Sequence, residues 1–251
     1  MPVRNDVVLL VGTTKGLFLL DGSGEVRQPI ANGASVPSVA FDARNRRMLA
    51  GKTSFFWGTG GVYRSEDRGI TWRPSNSGIR ADFMPEDQRF PEYGQCVHKV
   101  ARDAGNPDRL FLQNHGGIYR SDDNGTTWND IGAGVPSDFG FPMVAHPRKS
   151  GTAFVIPNGS AFNRWTPEAK CRVYRTSDCG ATWQGLTRGL PQKDAYITVL
   201  RDAFTSDRAD PAGLYFGTRS GELYASTDDG ETWETLAEHL PPVLMVRAAT
   251  I

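Results

Sequence analysis

Four segments of this chain align without a gap: Tyr63 to Trp72, Tyr119 to Trp128, Tyr174 to Trp183 and Tyr224 to Trp233. Each carries Ser or Thr, any residue, Asp, any residue, Gly, any residue, Thr, Trp. The key aspartates Asp67, Asp123, Asp178 and Asp228 are separated by 56, 55 and 50 residues. Self-similarity at such a period is the signature of a repeat architecture. The residue types give the repeat its shape. A strand reaches the Ser or Thr, the chain reverses through Asp-x-Gly, and a second strand leaves through Thr-Trp. Aspartate accepts hydrogen bonds from backbone N–H groups a few residues on, and glycine supplies the positive φ of a tight hairpin. The tryptophan then buries a large aromatic area.

The flanks repeat as well. Short apolar strands precede each hairpin, as in Met48-LAG, Leu110-FLQNHGG, Ala153-FVIPNG and Leu214-YFGTRSG, and further strands precede those, as in Pro37-SVAFD, Cys96-VHKVARD, Phe141-PMVAHP and Tyr196-ITVLRD. Each unit reads as four antiparallel strands over ~50 residues, which is a propeller blade. Val7-VLLVGTTKGLFLLDG lacks only a blade's first strand, and Val243-LMVRAATI is an orphan strand. The expected fold is therefore an all-β, single-domain, five-bladed β-propeller spanning 1-251. Its blades fall at 244-251 with 6-30, then 36-75, 94-131, 139-187 and 195-237, and the C-terminal strand joins the N-terminal blade to close the ring.

Lys plus Arg and Asp plus Glu balance at 28 each, and no basic run provides a local field, which argues against nucleic acid. No stretch reaches the ~20 apolar residues of a membrane span, and none has the form of a signal peptide. The cysteines are three, Cys96, Cys171 and Cys179, an odd number with no zinc-type spacing. Free thiols without an export signal lead to an expected cytoplasmic location.

At the four hairpins the sequence resembles the BNR/Asp-box superfamily, which includes sialidases, sortilin-type propellers and bacterial proteins labelled as glycosyl hydrolases of unknown specificity. It is most similar to that last group, in VGTTKGLF, GIRADF, PEYGQCVHKV, QNHGGIYRSDDNG, GVPSDFGFP and LPPVLMVRAA. Those proteins are usually longer, with more blades. The resemblance implies that the Asp boxes are structural, since in sialidases they lie on the ring's periphery. It does not extend to sialidase activity, because the Arg-Ile-Pro motif is absent and no arginine triad can be placed.

Propellers hold ligands at the mouth of the central channel, where loops from several blades converge. The blade map brings Lys15, the Phe55-Phe56-Trp57 turn, Gln113-Asn114-His115, Asn163-Arg164-Trp165 and Arg219 there. Interblade loops add Asp82, Asp87, Glu92, Tyr93, Asp138, Phe139, Asp194 and Tyr196. Within Arg80-ADFMPEDQRFPEYGQ, the carboxylates Asp82, Glu86, Asp87 and Glu92 lie beside Phe90 and Tyr93, with Asp103 after the next strand. Acids next to aromatic platforms suit a carbohydrate, and a glycosidase needs two facing carboxylates. Glu92 with Asp138 or Asp82 is the candidate pair, set against a plain solvated acidic loop.

The expected site is Glu92, Asp138 and His115 for chemistry, with Tyr93, His98, Asn114, Tyr196, Trp57 and Trp165 binding the ligand. Cys96, His98 and His115 could hold a transition metal, but the preferred account is a hydrogen-bonded histidine beside a buried thiol, with no metal and no cofactor. Three functions compete: a propeller binding a polar glycan, small metabolite or protein segment; a glycoside hydrolase using carboxylates near Glu92; and a metal-dependent enzyme. The first is the leading expectation.

Overall fold

The computed structural model describes residues 7–20, 26–30, 38–42, 47–51, 61–64, 73–92 and 94–250. The first box, with Asp67, Gly69 and Trp72, lies outside them, as do Phe55, Phe56, Trp57 and Tyr93. Apart from two 3-10 turns, the regular secondary structure of the described residues is all strand. The strands are β1 (Val7–Thr13), β2 (Gly16–Leu20), β3 (Val26–Ile30), β4 (Ser38–Asp42), β5 (Arg47–Gly51), β6 (Tyr63–Arg64), β7 (Arg73–Pro74), β8 (Val97–Arg102), β9 (Leu110–Asn114) and β10 (Ile118–Ser121). They continue as β11 (Asn129–Asp130), β12 (Gly140–Ala145), β13 (Ala153–Pro157), β14 (Val173–Thr176), β15 (Gln184–Leu186), β16 (Phe204–Ser206), β17 (Leu214–Gly217), β18 (Leu223–Ser226), β19 (Glu234–Ala237) and β20 (Val243–Thr250).

Four four-stranded antiparallel sheets result: β20-β1-β2-β3, β11-β10-β9-β8, β12-β13-β14-β15 and β16-β17-β18-β19. This corrects the expected five blades to four. The stretch expected to form the remaining blade gives two separate pairs, β4-β5 and β6-β7. One physical reason is local: β6 and β7 are two residues each, and Pro74 has no N–H to donate to a ladder. The ring closure is corrected too. Strand β20 pairs with β1 from Val7↔Thr250 to Thr13↔Val243, and that ladder completes one sheet. Among the described residues no ladder runs on from sheet to sheet, so hydrogen bonding does not close a ring.

Contacts divide the chain into two compact units. The first comprises Met1–Phe55, Glu168–Val173 and Leu186–Ile251; the second comprises Phe56–Pro167 and Tyr174–Gly185. In the first, Leu10, Leu17, Met245 and Ala249 form one buried cluster. Phe204, Phe216, Tyr224 and Trp233 form an aromatic group on β16-β19, with Phe216 stacked on Tyr224 at 4.9 Å between centroids. In the second, Phe111, Ile118, Ile131, Met143, Ala153, Val155 and Tyr174 fill a core between two sheets. Ile79, Val97, Leu110, Leu112, Tyr119 and Trp128 form another cluster.

The boxes explain why the hairpins form. Ser121 donates to the Asp123 carboxylate at 2.7 Å, and its own oxygen accepts from the Gly125 N–H at 2.8 Å. Asp123 Oδ1 accepts from the main-chain N–H groups of Thr126 (3.0 Å) and Thr127 (2.9 Å), and Oδ2 accepts from the Thr127 hydroxyl at 2.7 Å. Thr176, Asp178 and Thr182 repeat this pattern, as do Ser226, Asp228 and Thr232. Burial by itself raises the Asp123 carboxyl, but the hydrogen bonds from Thr127, Ser121 and Thr126 outweigh it and hold the group at about 2. The bonds from Thr182 hold Asp178 at about 2 as well.

Two successive residues turn left-handed in each described box, for example Cys179 at φ 63° and Gly180 at φ 90°. That is the sign pattern of a tight hairpin turn. Gly180 is required twice over, since a Cβ there would lie 2.5 Å from the Ile131 side chain. Two of the box tryptophans tie neighbouring segments together: Trp128 Nε1 donates to the Ser75 carbonyl at 2.9 Å, and Trp183 Nε1 to the Ile131 carbonyl at 2.7 Å, whereas Trp233 Nε1 donates to the Gly230 carbonyl of its own box at 2.9 Å.

Candidate functional site

The site in the second unit is organised by Arg80. Its main-chain N–H donates to the Tyr119 hydroxyl at 3.2 Å, and its carbonyl accepts from Asn114 Nδ2 at 2.8 Å. Tyr119 is fully buried on β10 and donates to the Gly116 carbonyl at 3.0 Å; burial pushes its hydroxyl up to about 12. A backbone pinned on both sides aims the guanidinium. Nε donates to Asp82 Oδ1 at 2.5 Å, Nη2 donates to Asp138 Oδ2 at 3.0 Å, and Asp130 lies 3.9 Å from Nη1. Burial works against the Arg80 charge, but the hydrogen bond and the charge of Asp82 exceed it, so the group is held more firmly cationic. Asp82 passes so close over the turn after β9 that a Cβ on Gly116 would lie 1.3 Å from its Oδ2. Glycine at 116 is therefore a requirement of close approach.

Asp82 and Asp138 face a cleft of about 420 Å³, lined also by Phe83, His115, Ser137, Phe139 and the loop 159–162. Two rings there are open to solvent, Phe83 at 56% and Phe162 at 94% exposure. Trp165 is partly exposed, and its carbonyl accepts from the Gly159 N–H at 2.7 Å, which closes the base of that loop.

Behind His115 lies a second arrangement. The His115 N–H donates to the Cys96 carbonyl at 2.9 Å, so the two residues extend the β8-β9 ladder by one step. Between Val97↔Asn114 and Lys99↔Gln113 the register slips, and His98 is the extra residue of this bulge. Bulges re-aim side chains. Here His98 is turned inward, fully buried, with Nδ1 2.6 Å from the Gly140 carbonyl oxygen, which lies beside an irregularity in β12. Cys96 Sγ is 3.6 Å from His98 Nε2, and one ligand atom from each of Cys96, His98 and His115 falls within 4.8 Å of the others. Phe139 and Phe141 wall the imidazoles, with ring centroids at 4.9–5.8 Å.

The residues expected from sequence are thus distributed. His115 and Asp138 meet in one cleft with Asp82 and Phe139. Glu92 is exposed and lines a different cleft, with Asn76, Phe90, Pro91 and Thr126. Asn114 is buried and spends its amide N–H groups on the Arg80 and Gly116 carbonyls, so it positions the Arg80 loop. Gln113 likewise donates to the Asp138 carbonyl at 2.8 Å. Asp103 accepts from Gly105, Asn106, Gly151 and Ser150 and shapes a turn. Glu86 and Asp87 are exposed on a short 3-10 turn. Tyr196, Lys15, Asp194 and Arg219 are exposed in the first unit. Sequence reasoning did not single out Arg80, Phe83 or Phe162. The first two sit inside the GIRADF stretch, whose sole arginine beside an aspartate was the available signal.

A family model described as BNR-Asp box repeat matches residues 62–74. A xyloglucanase from Paenibacillus sp is 27% identical over 232 residues, 81% of this chain and 21% of that protein. Xyloglucanase Xgh74A from Acetivibrio thermocellus is 24% identical over 233 residues, 81% of this chain and 26% of that protein. Among solved structures, an ancestral GH74 enzyme matches with a TM-score of 0.50 at 15% identity, covering 95% of this chain and 25% of the other. The chain spans roughly a quarter of the length of these proteins. Blades and boxes together make this an all-β propeller fold that carries Asp-box repeats of the BNR type.

Proposed function

We propose that this chain is glycoside hydrolase-like and takes a neutral glucan of the xyloglucan type in the cleft between Asp82 and Asp138. The observation that carries the reading is the presence of two carboxylates and two exposed phenylalanine rings in one cleft. Sugar C–H faces stack on aromatic rings, and carboxylates accept hydroxyl hydrogens. Arg80 offsets the two acids, which suits an uncharged ligand over an acidic one. The similarity to xyloglucanases over 81% of the chain supports the same substrate class.

Cleavage needs one carboxyl to protonate the leaving oxygen and another to act as nucleophile or base, with the two groups ~5–9.5 Å apart. Both acids now rest on Nε and Nη2 of one guanidinium. A sugar entering between them would have to free one from Arg80. Xyloglucan and its oligosaccharides are the test, with calorimetry for binding and new reducing ends for cleavage. Phe162→Ala should weaken binding and leave the fold intact, while Asp82→Asn and Asp138→Asn should each suppress cleavage. A parent chain that neither binds nor cleaves these glucans, or variants that match it, would overturn the proposal.

A further inference from the structure

We infer that Cys96, His98 and His115 form a binding site for a divalent transition-metal ion of the zinc class, with a fourth position on the side of the cleft that His115 lines. The argument starts with His98. A carbonyl oxygen only accepts, so at 2.6 Å from the Gly140 oxygen Nδ1 must carry the proton. Nε2, the ring nitrogen not bonded to Gly140, faces Cys96 Sγ at 3.6 Å. Fixing one imidazole nitrogen on a backbone carbonyl is how proteins orient a metal-binding histidine.

Distances agree with the chemistry. Zinc–sulfur and zinc–nitrogen bonds of ~2.3 and ~2.0–2.1 Å at the tetrahedral angle put S and N ~3.6 Å apart. The observed Cys96 Sγ to His98 Nε2 separation is 3.6 Å. The remaining ligand-atom separations, all within 4.8 Å, close to tetrahedral edges by a shift of at most ~1.5 Å at His115, which is only partly buried. A thiolate with two imidazoles selects zinc, cobalt or copper over magnesium or calcium, which demand oxygen. Phe139 and Phe141 supply the apolar shell that strengthens such a site. Three protein ligands leave room for a water or a hydroxyl of a bound molecule, the arrangement of an open zinc site. The bulge at His98 lies where the ring turns onto the Gly140 carbonyl, and it keeps Nε2 on the Cys96 side.

The test uses the full chain, stripped with chelator and titrated with cobalt(II) and zinc(II). Cobalt should bind at one equivalent, with a thiolate-to-cobalt charge-transfer band and the intense visible bands of four-coordinate geometry, and zinc should displace it. Cys96→Ser should abolish the charge-transfer band. His115→Gln, at a partly exposed position, should fold and lose more than the ~10–100-fold in affinity that outer-shell partners are worth. Cys179→Ser should leave the band unchanged. If the parent takes up no equivalent of cobalt, or the band survives Cys96→Ser, these residues are a thiol–imidazole contact and the site does not exist.

Discussion

Replacing Asp123 separates the structural role of the box from any role in binding. In Asp123→Ala two main-chain N–H groups, of Thr126 and Thr127, lose an acceptor at 3.0 and 2.9 Å, and the hydroxyls of Thr127 and Ser121 lose theirs at 2.7 Å. Each such bond contributes ~0.5–1.5 kcal/mol net, so the two N–H groups alone come to ~1–3 kcal/mol. The turn is open to solvent and water takes up part of the demand, which brings the expected cost to ~1–2 kcal/mol. With a urea slope of ~2 kcal/mol/M the midpoint should fall by ~0.5–1 M. Asp123→Asn sharpens the test. Both N–H groups bond Oδ1, and an amide oxygen can replace it, so the asparagine variant should lose less than half as much. Urea melts followed by circular dichroism, with slopes compared, give both numbers. Equal losses for Ala and Asn, or no loss for Ala, would refute this account of the hairpin.

The same carboxylates make stability depend on acid. Asp123 and Asp178 have folded values of about 2 against 3.8 for the free group, so their contribution is present above the unfolded value and is lost as pH falls through about 2. Melts from pH 5 to 2 should show that decline, shallower in Asp123→Asn; an identical slope would sink it. Gly116→Ala should displace Asp82, because the new Cβ would lie 1.3 Å from its Oδ2. Glucan affinity should drop while the far-ultraviolet spectrum is kept, and unchanged affinity would count against Asp82 as a ligand group.

The hairpins were legible because a box is local: the serine, aspartate, glycine and threonine linked by these bonds all lie between Ser121 and Thr127. Blade number was less so. Spacing shows that strand-like segments recur, but whether β5 and β6 join a common ladder depends on long-range pairing, and Pro74 at the end of a two-residue strand leaves little to pair. In the site, the closeness of Cys96, His98 and His115 was readable from strand alternation and the turn that follows, though the bulge that turns His98 inward was not. Glu92 drew attention through its charged and aromatic neighbours, and the chain carries it to a cleft beside Thr126 instead. Arg80 escaped notice because its importance rests on two anchors, Tyr119 and Asn114, that are 39 and 34 residues away.

Trp128 and Trp183 each meet their neighbouring segment through a carbonyl oxygen, of Ser75 and Ile131. A carbonyl is present at every residue, so the joint asks nothing of the adjoining side chain's identity. Such a coupling is generic, like a standard thread. Units joined this way can drift in sequence, be duplicated or be dropped, and the neighbour still offers the same acceptor. A repeat protein held by such joints can change length without inventing new interfaces, whereas the cleft loops, which depend on particular side chains such as Arg80 and Tyr119, cannot be exchanged so freely.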